Sequence, residues 1–291
     1  MYPSRFGYEA PKSIEEAIGY LTAGAGEAKI LAGGQSLVPM LKLRFAAPEM
    51  LVDINSIPGL DYINIGADGS IRIGALVRHE DIERSEELKT AQPTLAAAAH
   101  LVADPIVRTR GTFVGSVCHA DPQGDWAAAM TALGGHIVVQ GPKGKREIAM
   151  KDFVLGPFQN ALAFNEIAIE AVIPAPQGTP VGSYLKLERR VGDFATASVA
   201  VALNIQGGNV VRAGIALAGV GGRTIDATEA ASVLVGKPLS EDSILAAAEA
   251  VAAAAEPRTD HRGSSDYKRQ IVKTFVSRIL TGIANSEQKV A

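Results

Sequence analysis

Pro174-Ala175-Pro176-Gln177-Gly178-Thr179-Pro180 packs three prolines and a glycine into seven residues and divides the chain into two textures. Proline locks φ and lacks an N–H, so such a stretch reads as a stiff, exposed connection of the kind that separates domains. At 291 residues the chain is long enough for two domains with a core each. Upstream of the break, helical and strand-like patterns alternate. Residues 13–23 read as an amphipathic helix, with Ile14, Ala17, Ile18 and Leu21 on one face and Ser13 with Glu16 as a capping box. Residues 29–31, 50–53 and 71–73 read as strands, and Asp68-Gly69 as the hairpin turn between 63–65 and 71–73. Helices are expected at 79–84, 94–102 and 125–133, and a second hairpin at 137–140 and 146–148. Downstream, 183–190, 198–205 and 210–219 read as three antiparallel strands, followed by helices at about 228–235, 241–255 and 264–280. Strands followed by helices indicate an α+β domain.

Two glycine-rich stretches about eighty residues apart carry the chemistry. The first is Ala32-Gly33-Gly34-Gln35-Ser36-Leu37. The second is Gly111-Thr112-Phe113-Val114-Gly115-Ser116, running into His119-Ala120-Asp121-Pro122. Glycine admits a ligand close to the backbone, and small hydroxyl residues add donors, so two such loops face to face would cradle a diphosphate. The first loop is neither G-x-G-x-x-G nor a P-loop, and by itself it reads equally as an ordinary turn.

Charge and cysteine content bound the function. The formal net charge is −3, which gives no electrostatic case for nucleic acid. No apolar run has the roughly 18 residues of a membrane span. The opening Met1-Tyr2-Pro3-Ser4-Arg5-Phe6 has no secretory h-region, so a cytoplasmic protein is expected. Cys118 is the single cysteine, so the chain has no internal disulfide and holds no iron–sulfur cluster alone. His119, Asp121 and Asp125 do not share a helical face, and Pro122 interrupts them, so no metal site is expected there. Tyr184, Lys186 and Glu188 alternate with Leu185 and Leu187, which places the polar set on one strand face and the leucines in a core.

In order along the chain, residues 32–43, 108–125 and 184–195 match three motifs of one family. The chain resembles the FAD-binding medium subunit of the molybdenum hydroxylases, the group of carbon monoxide and xanthine dehydrogenases, from Phe6 to about Leu280. The resemblance implies an α+β fold. A two-subdomain FAD-binding domain of the PCMH/VAO type, residues 1–176 divided near 57, is followed by an α+β C-terminal domain, 178–285, with a three-stranded antiparallel sheet plus helices. It implies FAD as cofactor and no catalytic residue acting on the organic substrate. Ala32, Gly33, Gly34, Gln35, Ser36 and Leu37 would hold the pyrophosphate, and Thr112, Gly115 and Ser116 would form the second flavin loop. Val114 replaces a family glycine. Because β-branched residues avoid φ > 0, it reads as a strand residue, leaving Gly115 to make the close approach. Asp125 would meet sugar hydroxyls, or else cap its helix. Lys186 would lie beside the flavin, or else be an exposed strand lysine. Phe194 would cover the ring from a loop holding Arg189, Arg190 and Asp193. The implied partners are a large molybdopterin-binding subunit and a small subunit with 2Fe–2S clusters, in a dimer of heterotrimers. A stand-alone flavin oxidoreductase and a flavin-free assembly subunit are the alternatives.

Overall fold

The computed structural model describes the backbone of residues 2–290 and the side chains of residues 2–287. The N-terminal unit is a three-stranded parallel sheet in the order Gly7–Glu9, Met50–Asp53, Ala28–Leu31. The helix Ile14–Ala23 supplies the crossover after the first strand, and buries Ala17, Ile18 and Leu21. Its cap differs in one detail from the expected box. Ser13 Oγ accepts from the Glu16 N–H at 3.1 Å, but the Glu16 carboxylate accepts from Lys12 N–H at 2.7 Å, one residue earlier than Ser13.

The second unit is a five-stranded antiparallel sheet in the order Ile63–Ile65, Ile71–Gly74, Ile167–Ile173, His136–Gly141, Gly144–Ala149. Both expected hairpins form. The central strand Ile167–Ile173 has no counterpart among the expected elements. All of its residues are buried, so it has none of the polar alternation that marks a half-exposed strand.

The C-terminal unit is a sheet of Thr179–Leu187, Ala197–Gln206, Asn209–Ala218 and the two-residue strand Ile225–Asp226, so it has four strands where three are expected. The proline-rich stretch ends inside this sheet. Pro180 lies on the edge strand, opposite Asn204, and edge strands are where sheets tolerate proline. Both faces of the sheet are covered. Val199, Val201, Leu203, Ile215 and Leu217 join a core with the helices Glu241–Ala254 and Ser265–Val290. Tyr184, Ala200, Ala202, Ala216 and Ala218 join the core of the first domain, where the sheet meets the helices Pro93–Ala99 and Asp125–Ala132. Small residues allow this close contact. A Cβ on Gly214 would collide with the Ala132 carbonyl, and Thr94 Oγ1 donates to Val201 O at 2.8 Å across the buried seam. The C-terminal domain is thereby docked on the helices that carry the second glycine motif's neighbours.

Candidate cofactor cleft

The first loop leaves the strand Ala28–Leu31 and enters the helix Leu37–Leu43. Gly34 turns the chain at φ +77°, which a residue with a Cβ adopts only with strain. Ser36 caps the helix without a side-chain bond, so its hydroxyl stays available. Gln35 is exposed and donates from Nε2 to Gly33 O at 3.2 Å.

The second motif corrects the expectation of a loop. Thr112 is an N-cap, and Phe113–His119 is a short helix. Val114 is therefore a helical core residue, 2% exposed, rather than a strand residue, and no left-handed backbone is needed at its position. Gly115 lies in the first turn, where a Cβ would collide with Thr112 Oγ1. Ser116 N–H donates to Thr112 O at 3.0 Å.

Gly33 brings the two segments together. A Cβ there would collide with the Arg110 carbonyl and stand 2.8 Å from Gly111 Cα and 2.9 Å from Thr112 N. The glycine thus serves loop-to-loop contact as well as access. Beneath the second segment lies His79, which sequence reasoning placed in a helix but not in the site. It is 4% exposed, and its Nδ1 accepts from Trp126 Nε1 at 2.9 Å. A Cβ on Gly111 would stand 2.6 Å from His79 Nε2. Burial, with the nearby Arg108 and Arg78 charges, pushes the imidazole pKa down to about 4, so the ring is neutral at physiological pH.

Between the two segments runs a cleft of about 610 Å³, lined by residues 32–37, Thr112, Gly115, Ser116, Asp125, Lys186 and Phe194 among others. It draws in every residue of the expected site. Its volume falls in the range typical of cofactor pockets. Thr112 Oγ1 is buried on its wall and has no hydrogen-bond partner among the described residues. A buried hydroxyl left unpaired costs stability, so a ligand acceptor at this point would satisfy a standing demand. Glycines that admit the backbone, free small hydroxyls and an orphaned donor fit a diphosphate-containing cofactor such as FAD.

Asp125 and Lys186 are close together, and their roles change. Asp125 is the first residue of its helix, and Gly124 holds the cap position, so the capping alternative does not apply. Asp125 Oδ1 accepts from Tyr184 OH at 2.6 Å, and Oδ2 from Lys186 Nζ at 3.0 Å. Lys186 Nζ also donates to Leu101 O at 2.9 Å and lies 3.5 Å from Glu188 Oε2. Its side chain is only 1% exposed, so it is no exposed strand lysine. The expected strand parity holds: Tyr184 and Lys186 share a face, and Leu185 and Leu187 pack in the other core. That polar face is buried against the first domain. Burial raises the Asp125 carboxyl above the ordinary range against the opposing pull of Lys186 and Tyr184, and burial also lifts the Tyr184 phenol well above its usual value. Lys186 is therefore a cation compensated by two carboxylates, not a free charge facing the cleft.

Phe194 stands half exposed at the rim. Its loop is tied by Arg262, which donates to Phe194 O at 2.5 Å and pairs with Asp193 at 3.4 Å. His119 stacks on Phe158 with centroids 5.1 Å apart. Asp121 accepts from Gln123 N–H at 2.8 Å in a turn. Burial pushes the Cys118 thiol up to about 12. Among the described residues, no group of three or more His, Cys, Asp or Glu could hold a metal ion. None of the described helices is long and apolar enough to cross a membrane.

Residues 4–176 match the family described as the FAD binding domain in molybdopterin dehydrogenase, and residues 182–283 match the CO dehydrogenase flavoprotein C-terminal domain. The carbon monoxide dehydrogenase medium chain of Hydrogenophaga pseudoflava is 42% identical over 282 residues, covering 96% of this chain and 97% of that one. The glyceraldehyde dehydrogenase medium chain of Sulfolobus acidocaldarius is 35% identical, covering 98% and 100%. A solved carbon monoxide dehydrogenase from Hydrogenophaga pseudoflava superposes with a TM-score of 0.92 over 97% of this chain and 98% of that one.

Proposed function

The chain belongs to the FAD-binding medium subunits of the molybdenum hydroxylases, and from that premise we propose that it carries electrons from a cluster-bearing small subunit to an external acceptor. It binds FAD and is part of an oxidoreductase. The reading includes a large molybdopterin-binding subunit and a small subunit with 2Fe–2S clusters, two of each with two copies of this chain. The observation that carries it is the cleft itself, where the two glycine segments meet and Thr112, in the second, leaves a buried hydroxyl unpaired among the described residues. The single Cys118 supports the division of labour, since this chain alone cannot ligate a cluster.

Bound in the cleft, FAD supplies one-electron acceptance and two-electron delivery. The chain's own residues bind and orient it. Ala32, Gly33, Gly34, Gln35, Ser36 and Leu37 would offer backbone N–H groups and the Ser36 hydroxyl to the diphosphate. Thr112, Gly115 and Ser116, lining the same cleft, would contact it from the second segment. Asp125 and Lys186 bound the cleft as one buried ion pair, with both Asp125 oxygens taken by Tyr184 and Lys186. Phe194, half exposed at the rim, would shield the outer edge of the ring from water.

Affinity purification of the chain from its native host tests the assembly. The expected result is a yellow complex containing a cysteine-rich small chain and a large molybdenum chain. A lone active flavoprotein would instead make it a stand-alone oxidoreductase, and a colourless complex would make it an assembly subunit.

A further inference from the structure

We infer that Asn55 and Arg78 form a clamp that sets the spacing of the two glycine segments, and through it the grip on the cofactor. The inference rests on the reading of the cleft given above. Neither residue belongs to a glycine motif. Both stand behind the loops, and together they link one loop's backbone to the other's.

The link is a continuous hydrogen-bonded path. Asn55 Nδ2 donates to Ala32 O at 2.9 Å, in the first loop. Arg78 Nη2 donates to Asn55 Oδ1 at 2.7 Å. Arg78 Nη1 donates to Arg110 O at 2.8 Å, just before the second segment. Arg110 O is the atom that a Cβ at Gly33 would strike, so the clamp closes on the point of nearest approach. Asn55 is itself fixed, since its Nδ2 also donates to Asp53 Oδ1 at 2.6 Å and its backbone N–H to the same oxygen at 2.9 Å. Tyr8 OH holds the other Asp53 oxygen at 2.6 Å. Burial works to raise the Asp53 carboxyl, and the bonds from Tyr8 and Asn55 outweigh it, so it stays ionised as the anchor.

Three physical consequences follow from this path. A guanidinium presents its donors in a rigid fork, so Arg78 fixes both distance and angle between Asn55 and Arg110. A trans peptide points its C=O and N–H in opposite directions, so binding Ala32 O from behind turns the Gly33 N–H away from Asn55. Lastly, the segment bearing Arg78 is tied to the second glycine segment by His79 N–H to Gly111 O and Phe113 N–H to Val77 O, both at 3.0 Å. Loosening the fork therefore frees the first loop and leaves the second in place. Arg78 and Asn55 are positioning residues, acting through the loops that would touch the cofactor.

The test uses the full-length chain stripped of flavin and titrated with FAD by fluorescence quenching, with thermal unfolding of the apo chain beside it. Arg78→Met and Asn55→Ala are each expected to raise the Kd about tenfold or more, with little change in apo unfolding. Because they break one path, the double variant should be no worse than the weaker-binding single. Arg78→Lys keeps the charge but loses the fork, and should fall between. Gly33→Val is the control for the site. If it abolishes binding while Arg78→Met and Asn55→Ala bind like wild type, the clamp alone is wrong. If Gly33→Val binds like wild type, the cleft reading and the clamp fall together. Additive losses in the double variant, or losses matched by unfolding in every variant including Arg78→Lys, also overturn the clamp.

Discussion

The first glycine segment takes its turn from its own residues and is held from outside by a single side chain, Asn55, whereas the second takes its shape from what lies beneath it. In the first, Gly34 sets the turn by its left-handed φ, an exposed Gln35 bonds back to Gly33 O, and Asn55 holds Ala32 O from outside. In the second, Thr112 and Phe113 lie over a buried stack in which Trp126 packs on Phe113 at 4.7 Å and donates to His79. The glycines accordingly do different things. Gly33 and Gly34 serve backbone conformation and loop contact. Gly111 and Gly115 make room for a neighbouring imidazole and hydroxyl. A local loop tolerates change in the core and fails at its glycines. A supported segment fails when the support moves.

The largest expected effect lies in the first segment. Gly33→Val forces the loops apart against the Arg110 carbonyl, and should abolish flavin retention through gel filtration while the chain stays folded. Stoichiometric yellow cofactor in that variant would sink the assignment of this loop. The next lies under the C-terminal sheet. Lys186→Met leaves Asp125 buried without its cation and should destabilise the chain by about 3–5 kcal/mol, measured by denaturant unfolding. Asp125→Asn in the same background should recover much of this. If Lys186→Met is neutral, the ion pair is not what holds the two domains at that seam.

A third effect separates the two segments by pH. His79 has a folded pKa of about 4 against an ordinary 6.5. The unfolded chain binds the proton first, so this group's contribution is full above pH 6.5 and declines as pH falls toward 4, where it levels off. The loss is about 3 kcal/mol across that window. Denaturant unfolding of wild type and His79→Gln at pH 7 and pH 4.5 checks it, because the variant should lack this part of the acid sensitivity. Equal sensitivity in the two proteins would mean that the imidazole is not the buried neutral support of the second segment.

The comparison also explains what could be read from the sequence. Self-contained features were legible. The hairpin at Asp68-Gly69 and the first loop at Gly33-Gly34 announce themselves through local turn chemistry. The strand parity at Tyr184 and Lys186 followed from a two-residue period. Features set by remote partners were not. The helix at Phe113–His119 reads as a loop because its Gly115 and Ser116 are poor helix formers, and the neighbours it packs on, Trp126 among them, lie far off in sequence. The strand Ile167–Ile173 gave no alternation because both of its faces are covered. Nothing local marks Asn55 or Arg78, since their partners lie 23 and 32 residues away. Lys186 was legible as a polar-face residue, but its burial depends on Asp125, 61 residues earlier.

The smallest expected effect is the most discriminating between stability and binding. Thr112 Oγ1 is buried without a partner, so the apo chain carries the cost of a desolvated hydroxyl. Thr112→Val keeps the branched shape and removes that group. A methyl then stands where Oγ1 stood, so the crowding that keeps a Cβ out of Gly115 is unchanged. The apo chain should therefore be unchanged or more stable by about 1 kcal/mol, while FAD affinity falls several-fold because the diphosphate loses a donor. The two effects have opposite sign, which no general loosening of the helix could produce. Unfolding of the apo chain and FAD titration on the same preparation would read both. If stability and affinity fell together, the hydroxyl would be supporting its own helix turn, and the second segment would be as self-contained as the first.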